Sequence, residues 1–223
     1  QNKLDIALVY FKKAIKQQEI LKDMQGAGSN YSNIGNIYAT KKMFKEALIY
    51  HLKDLHAKES VDDKQGVIIA SAGIGADYYG MKEFDQALSY FLKSLTFSKQ
   101  TGFRRGLINA SGGIGQVYEE KKEYQKALVY YDQMLTVAKE LDAKDGIRDA
   151  FAFHASVYTK LKQFEKALEY TELFHNAKDT LLNKDNFKQV SELNAKYETD
   201  KKEKAILLLT KDQELTEKTL KEQ

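Results

Sequence analysis

Few side chains in this sequence have types and spacings that could do chemistry. Its four histidines could hold a metal ion or transfer a proton, but none is spaced with acidic residues as a metal site requires. They are His51, His56, His154 and His175. The sequence has no cysteine, which excludes a disulfide, a thiolate metal site and a cysteine nucleophile. We therefore predict no catalytic residue, no cofactor and no metal ion, and a chain that is not an enzyme.

The cluster Gly112-Gly113-Ile114-Gly115 has a composition that could cradle a phosphate. However, no strand precedes it, and it lacks the GxGxxG or GKS/T spacing that phosphate loops need. Two of its glycines recur with the same relative spacing earlier in the sequence, at Gly73 and Gly75. This recurrence indicates that the glycines serve helix packing.

The composition is typical of a helical chain with a sizeable core. Of 223 residues, 43% are apolar and none is proline, and 35 basic and 32 acidic side chains leave a net charge of +3. Without proline, a chain of this length is most easily helical throughout. The small net charge gives no support for a nucleic-acid partner or for contact with a membrane surface. The longest aliphatic run, 205–209, is far shorter than the roughly 18 residues of a membrane span.

The sequence repeats itself with one constant period, without insertion or deletion. One block aligns five alanines and, three positions later, five tyrosines: Ala7, Ala47, Ala87, Ala127 and Ala167, then Tyr10, Tyr50, Tyr90, Tyr130 and Tyr170. A second block aligns Gly35, Gly75, Gly115 and Ala155, then Tyr38, Tyr78, Tyr118 and Tyr158. Such regularity indicates stacked copies of one structural unit.

Each unit is predicted to form two helices. Ile34 and Tyr38 share a helix face, and Gly35 beside them permits close approach of a partner helix. After a short polar turn, Ala47 and His51 have helical spacing again. In the column of His51 other units carry aromatic rings, which we expect to fill the space left by the small residues.

Two histidines fall in columns of this repeat. His51 stands in the aromatic column, and His154 stands in a column of isoleucines. We therefore predict that both are packed core residues and not ligands.

The columns of Gly35, Tyr38, Ala47 and the aromatic residues near position 51 resemble the signature of the tetratricopeptide repeat (TPR), in its 40-residue form. The resemblance covers residues 1 to about 180. It implies an all-α fold, a right-handed superhelix of antiparallel helix pairs with a long C-terminal helix. We expect a TPR array over 1–183, made of a half repeat at 1–25 and repeats at 26–65, 66–105, 106–145 and 146–183. Residues 184–223 are expected to form a capping helix that extends into a charged linker helix.

In the TPR family the first helix of each repeat lines a concave groove that binds a protein or peptide segment. Carried over to this sequence, the resemblance implies eight candidate ligand-binding residues: Asn36, Tyr79, Asn109, Gln116, Glu119, Asp149, Ser156 and Lys160. The amide side chains among them can both donate to and accept from a peptide backbone. The family's basic clamp for chaperone tails is disfavoured, because its positions carry Asn33, Gly73, Gly113 and Phe153.

The run at 195–204 and the Ile-Leu-Leu-Leu stretch after it are similar to one known linker. This linker joins TPR arrays to the membrane span and output domain in Bacteroidetes sensor histidine kinases and related transcriptional regulators. The second resemblance implies the periplasmic input region of a signal-transduction protein, in which two linker helices could pair in a dimer. The parent protein could then be membrane-anchored, without membrane contact by this part. The alternative is a scaffold or assembly adaptor, which would place the chain in the cytoplasm.

Overall fold

The computed structural model describes residues 2–179 and 201–204. Eight helices follow one another in chain order: α1 (Asn2–Leu21), α2 (Met24–Thr40), α3 (Phe44–Ser60), α4 (Lys64–Gly80), α5 (Phe84–Thr101), α6 (Arg104–Glu120), α7 (Tyr124–Glu140) and α8 (Lys144–Lys160). Residues 164–179 and 201–204 are also helical, and the described residues contain no strand. Consecutive helices pack on each other, and each even-numbered helix also contacts the next even-numbered one. The predicted all-α stack of helix pairs is confirmed.

The chain divides into two compact units, residues 1–174 and residues 175–223. The first unit holds the eight helices and the helical residues up to 174. Most of the predicted capping and linker helix at 184–223 lies outside the described residues. The predicted repeat boundaries and the boundary at 183 stay predictions.

One turn geometry recurs at a constant interval, which is half the period of the sequence repeat. A residue with positive φ follows each of the eight helices, and only one of these residues is a glycine. They are Lys22, Lys42, Asp62, Lys82, Gly102, Lys122, Asp142 and Lys162. At Lys42 the bonds are those of a Schellman motif, because its N–H donates to Ala39 O and the N–H of Met43 donates to Tyr38 O. The same pair of bonds recurs at Lys82 and Lys122. The turn satisfies carbonyls that would otherwise be unpaired at the helix end.

In three of the helix pairs, a ring of the second helix faces a glycine of the first. A Cβ added to Gly75 would lie 2.8 Å from Cδ1 and Cε1 of Phe91, and one added to Gly115 would overlap Tyr131. Gly35 faces His51 in the same way. The backbone of the first helix is therefore in direct contact with the ring of the second, as the alternation of small and large columns predicted.

The two tyrosine columns also meet. Within each repeat a tyrosine of the first helix stacks on one of the second, with centroid distances between 5.5 and 5.7 Å: Tyr38 on Tyr50, Tyr78 on Tyr90, Tyr118 on Tyr130 and Tyr158 on Tyr170. Offset stacking of this kind contributes about 0.5–1.5 kcal/mol per pair beyond area burial.

Two glycines on α4 provide a matched test of this packing. We expect Gly75→Ala to lower the free energy of unfolding by about 1–3 kcal/mol, because its Cβ overlaps the Phe91 ring. Gly73→Ala is the control, since its Cβ would meet His51 atoms at an ordinary 3.5 Å. That variant should be neutral, or more stable by up to about 1 kcal/mol from helix propensity. Urea denaturation followed by circular dichroism measures both, and equal stabilities would contradict the ring–glycine contact.

Candidate ligand-binding face

The even-numbered helices α2, α4, α6 and α8 are the first helices of their repeats, and they form a continuous surface because each contacts the next. We call this surface the first-helix face. Two cavities open along it, one of about 250 Å³ and one of about 370 Å³. Both are open clefts between repeats.

The smaller cavity, which we call the apolar cavity, brings together three of the predicted residues. Asn109, Gln116 and Asp149 line it. Its remaining walls are small or apolar residues of α4 to α8: Ala72, Ala76, Phe91, Ile108, Gly112, Gly113, Met134 and Phe153. The arrangement offers a narrow apolar space edged by amide and carboxylate groups, which suits an apolar side chain whose backbone needs hydrogen-bond partners.

Three other predicted residues form a hydrogen-bonded cluster around a buried carboxylate. Glu119 is only 7% exposed. Its Oε1 accepts from Ser156 Oγ at 2.5 Å and pairs with Lys160 Nζ at 2.9 Å, and its Oε2 accepts from the Tyr131 hydroxyl at 2.7 Å. These contacts use both oxygens of Glu119, so this carboxylate joins α6, α7 and α8 to one another.

The Glu119 cluster perturbs the ionisation of its neighbours. Burial, together with the bond to Glu119, raises the pKa of Tyr131, so the phenol stays protonated and donates. Burial alone would lower the pKa of Lys160, but the hydrogen bond to Glu119 and the charges of Glu119 and Glu120 together outweigh it, so the pKa is raised. Sequence reasoning placed Tyr131 only in a packing column. Its partner Glu119 stood among the candidate residues, but nothing in the sequence linked the two.

The last two predicted residues, Tyr79 and Asn36, do not line the apolar cavity. Tyr79 is half-buried and packs against Phe84, and its pKa is raised by burial and by the charges of Glu120 and Glu119. Asn36 is exposed, and its Oδ1 lies 3.3 Å from His51 Nε2. The prediction of one groove site holding all eight residues therefore stays untested, while three of them share the apolar cavity.

The larger cavity, which we call the Asp54 cavity, was not predicted. Ser29 and Ser32 of α2, Asp54 and Lys58 of α3, and Gly66 of α4 are among its lining residues. Asp54 is only 2% exposed, and its Oδ1 accepts no hydrogen bond. A charged group is rarely buried without a partner, because removing it from water costs several kcal/mol.

Burial raises the pKa of Asp54 from its ordinary 3.8 to about 6. Lys58, a hydrogen bond with Ser32, and His51 oppose this rise, while Asp63 adds to it. A signal in the sequence could have indicated this site. The column of Asp54 carries Ser94 and Met134, which are both buried, so its position in the repeat lies inside the stack.

The two histidines placed in the core are buried there, as predicted. His51 is 3% exposed, and its Nδ1 is hydrogen-bonded to Asp77 Oδ2 at 2.6 Å. His154 is fully buried, and its ring nitrogens face Ala150 O at 2.8 Å and Asp132 Oδ1 at 2.9 Å. Among the described residues, no group of three or more histidines and acids is placed to hold a metal ion.

Comparison with known proteins agrees with this architecture. A family profile described as "Tetratricopeptide repeat" matches residues 66–140. Residues 66–140 are thus similar to tetratricopeptide repeats. The predicted TPR fold class is confirmed by the solved structures that share this fold. No curated protein matches the chain. Among the described helices, none has the length and apolar character needed to cross a membrane.

Solved structures with the same fold include an aspartyl phosphate phosphatase, a Rap regulator and a signalling ATPase. Aspartyl phosphate phosphatase F from Bacillus subtilis aligns with a TM-score of 0.72 at 16% identity, over 81% of this chain and 49% of that one. The Rap conjugation gene regulator of plasmid pLS20, in complex with the Phr* peptide, aligns with a TM-score of 0.63 at 19% identity. The alignment covers 80% of this chain and 55% of that one. A STAND protein with a TPR sensor from Pyrococcus horikoshii aligns with a TM-score of 0.66 at 23% identity. The alignment covers 77% of this chain and 27% of that one. This chain thus spans about half or less of their lengths. The sensor-kinase resemblance finds no confirmation in these matches.

The Glu119 cluster gives a stability prediction. Glu119→Gln should lower the free energy of unfolding by about 1–2 kcal/mol, because a neutral amide replaces a charged acceptor that serves three donors. The neighbouring Glu120→Gln is the control, since Glu120 is exposed and should change stability by less than about 0.5 kcal/mol. Thermal and urea unfolding of the two variants compare them. A cost for Glu120→Gln that matches or exceeds the cost for Glu119→Gln would refute the cluster's role.

Asp54 gives a prediction about pH. Because the folded chain holds the Asp54 proton more tightly than the unfolded chain, Asp54 makes the free energy of unfolding fall as pH rises from about 4 to about 6. Asp54→Asn removes this ionisation. The variant should match the wild type near pH 4 and exceed it by up to about 3 kcal/mol above pH 7, at about 1.4 kcal/mol per pKa unit. Urea unfolding at several pH values measures the difference, and a difference that does not grow with pH would contradict the raised pKa.

Proposed function

We propose that this TPR array is a peptide- or protein-binding module, and that its ligand lies along the first-helix face. The observation that carries the proposal is the apolar cavity, where Asn109, Gln116 and Asp149 edge a floor of small and apolar residues. An extended segment needs both features, because its side chain gains from apolar burial and its backbone needs hydrogen-bond partners.

A structural neighbour supports the same function. The Rap conjugation gene regulator, which shares the fold at 19% identity, was solved with the Phr* peptide. The likeness concerns the fold, and the ligand of this chain is inferred from its own cavity. The two share an array of helix pairs.

We further propose that the module is the regulatory input region of a larger signalling protein, a sensor kinase or transcriptional regulator. The support is the sequence similarity of 195–204 and the following stretch to the linker of such proteins. The STAND neighbour also joins a TPR sensor to a signalling ATPase. In this scheme the residues after the array form a linker helix, which could pair with a second copy in a dimer. A ligand can act as a signal only if it binds one arrangement of the array more tightly than another.

The test of the binding function starts from an unbiased ligand. A random peptide library displayed on phage is selected against the purified chain, and the selected peptides are measured by calorimetry. Asn109→Ala combined with Gln116→Ala should weaken their binding by about tenfold or more, because two hydrogen-bond partners of the ligand are lost. Val129→Ala is the control, since Val129 is 64% exposed on α7 and does not line either cavity.

Two results would overturn the proposal. One is a library that yields no saturable binder. The other is a set of binders whose affinity is unchanged by the double variant but reduced by Val129→Ala, which would move the interaction to the second helices and favour a scaffold role.

A further inference from the structure

The Asp54 cavity holds a buried carboxylate whose charge has no ion-pair partner among the described residues. Asp54 lines the cavity at 2% exposure, and its Oδ1 accepts no hydrogen bond. The volume of about 370 Å³ lies within the range of roughly 300–1,000 Å³ that is typical of ligand pockets. The carboxylate thus lies beside a space large enough for a ligand group that would complete its bonding.

The lysine that lines this cavity with Asp54 is already engaged. Lys58 Nζ pairs with Asp63 Oδ2 at 3.3 Å, and both residues line the same cavity. Asp63 Oδ1 also caps α4 by accepting from Gly66 N at 2.8 Å. Two carboxylates and one ammonium therefore share the cavity, which carries one net negative charge when Asp54 is ionised.

The repeat shows what the same position does elsewhere. Asp54, Ser94 and Met134 occupy one column, each one repeat after the last. Met134 lines the apolar cavity, whereas Ser94 donates to Ile68 O at 3.0 Å and is fully buried. The residue in this column thus lines a cavity in two repeats, where it is apolar in one and anionic in the other.

We propose that the Asp54 cavity is a subsite for a cationic side chain, a lysine or an arginine, of the segment that lies along the first-helix face. This inference rests on the proposed function and adds to it the chemistry of the ligand. An ammonium or guanidinium group supplies both the missing hydrogen bond and the missing charge, and charge-assisted bonds are about twice as strong as neutral ones. The apolar cavity selects an apolar side chain of the same ligand.

The ionisation of Asp54 agrees with this assignment. Its pKa of about 6 reflects burial, which outweighs the effects of Lys58, Ser32 and His51. The titratable groups that face Asp54 are His51 and Lys58 from its own helix and Asp63 from the turn before α4. The Ser32 hydroxyl faces it from α2. A bound cation stabilises the ionised form, so binding should weaken as pH falls below about 6.

A titration with a minimal ligand tests the subsite directly. The probe is Nα-acetyl-lysine N-methylamide, and its neutral control is the norleucine analogue, which keeps the side-chain length. Amide shifts of Ser29 and Gly66, both of which line the cavity, are followed in ¹⁵N-labelled protein at pH 7.5. We expect saturable shifts with the lysine compound and at least about tenfold weaker binding of the norleucine compound.

Substitutions at Asp54 then separate charge from shape. Asp54→Asn should weaken lysine binding by about tenfold, and Asp54→Glu should retain a preference for lysine. Asp54→Met installs the residue that the column has at Met134, and should reverse the preference towards norleucine. Circular dichroism and the dispersion of the amide spectrum establish that each variant is folded. If one substitution unfolds the chain, the other two and the lysine–norleucine comparison in the wild type still decide the result.

The results that overturn the subsite are distinct from those that overturn peptide binding. Equal shifts with lysine and norleucine compounds, no saturable shift with either, or unchanged lysine binding in Asp54→Asn would refute the subsite. The proposed function would survive any of these if selected peptides still depended on Asn109 and Gln116. Conversely, saturable lysine binding at Asp54 would support the subsite even if no library peptide were selected.

Discussion

The structure depends on how closely two helices of one repeat approach each other. That distance is set where a ring of the second helix rests on a glycine of the first, as Phe91 does on Gly75. The fourth repeat supports this view, because Ala155 replaces glycine in the unit where the ring position carries Thr171. A smaller partner on one helix is matched by a larger residue on the other, so the sum of the two volumes decides the spacing.

The recurring turn makes this local fit into a regular stack. Residues with positive φ lie at one constant interval from Lys22 to Lys162, so each helix together with its turn spans the same number of residues. Each helix therefore begins in the same register as the one two before it. Equivalent columns then occupy equivalent places, and the clefts on the first-helix face differ mainly in which residues line them.

The sequence predicted the helix pairs well, but it could not predict which of the candidate residues contact one another, for physical reasons. Helix pairing follows from apolar periodicity, which the aligned columns repeat several times over. The turns were not predictable in detail, because lysine is not a typical residue for positive φ. Glu119 was predicted as a groove residue, yet it is 7% exposed and bonds to Tyr131, since the end of α6 lies over α7 and α8. Sequence reasoning did not single out Asp54, which is buried like its column mates Ser94 and Met134.

Departures from the repeat distinguish packing from function. His51 replaces an aromatic ring and Asp77 replaces Ile37 or Val117 of its column, and the two new polar groups bond to each other at 2.6 Å. This is a paired exchange, in which each buried polar group supplies part of what the other needs. Asp54 is different, because it introduces a carboxylate into a buried column and no cation of the described residues forms an ion pair with it. A buried charge without such a partner lowers stability, and stability alone would favour the serine or methionine of the other repeats. Since the destabilising residue borders a cavity of about 370 Å³, the missing partner is best sought in a ligand.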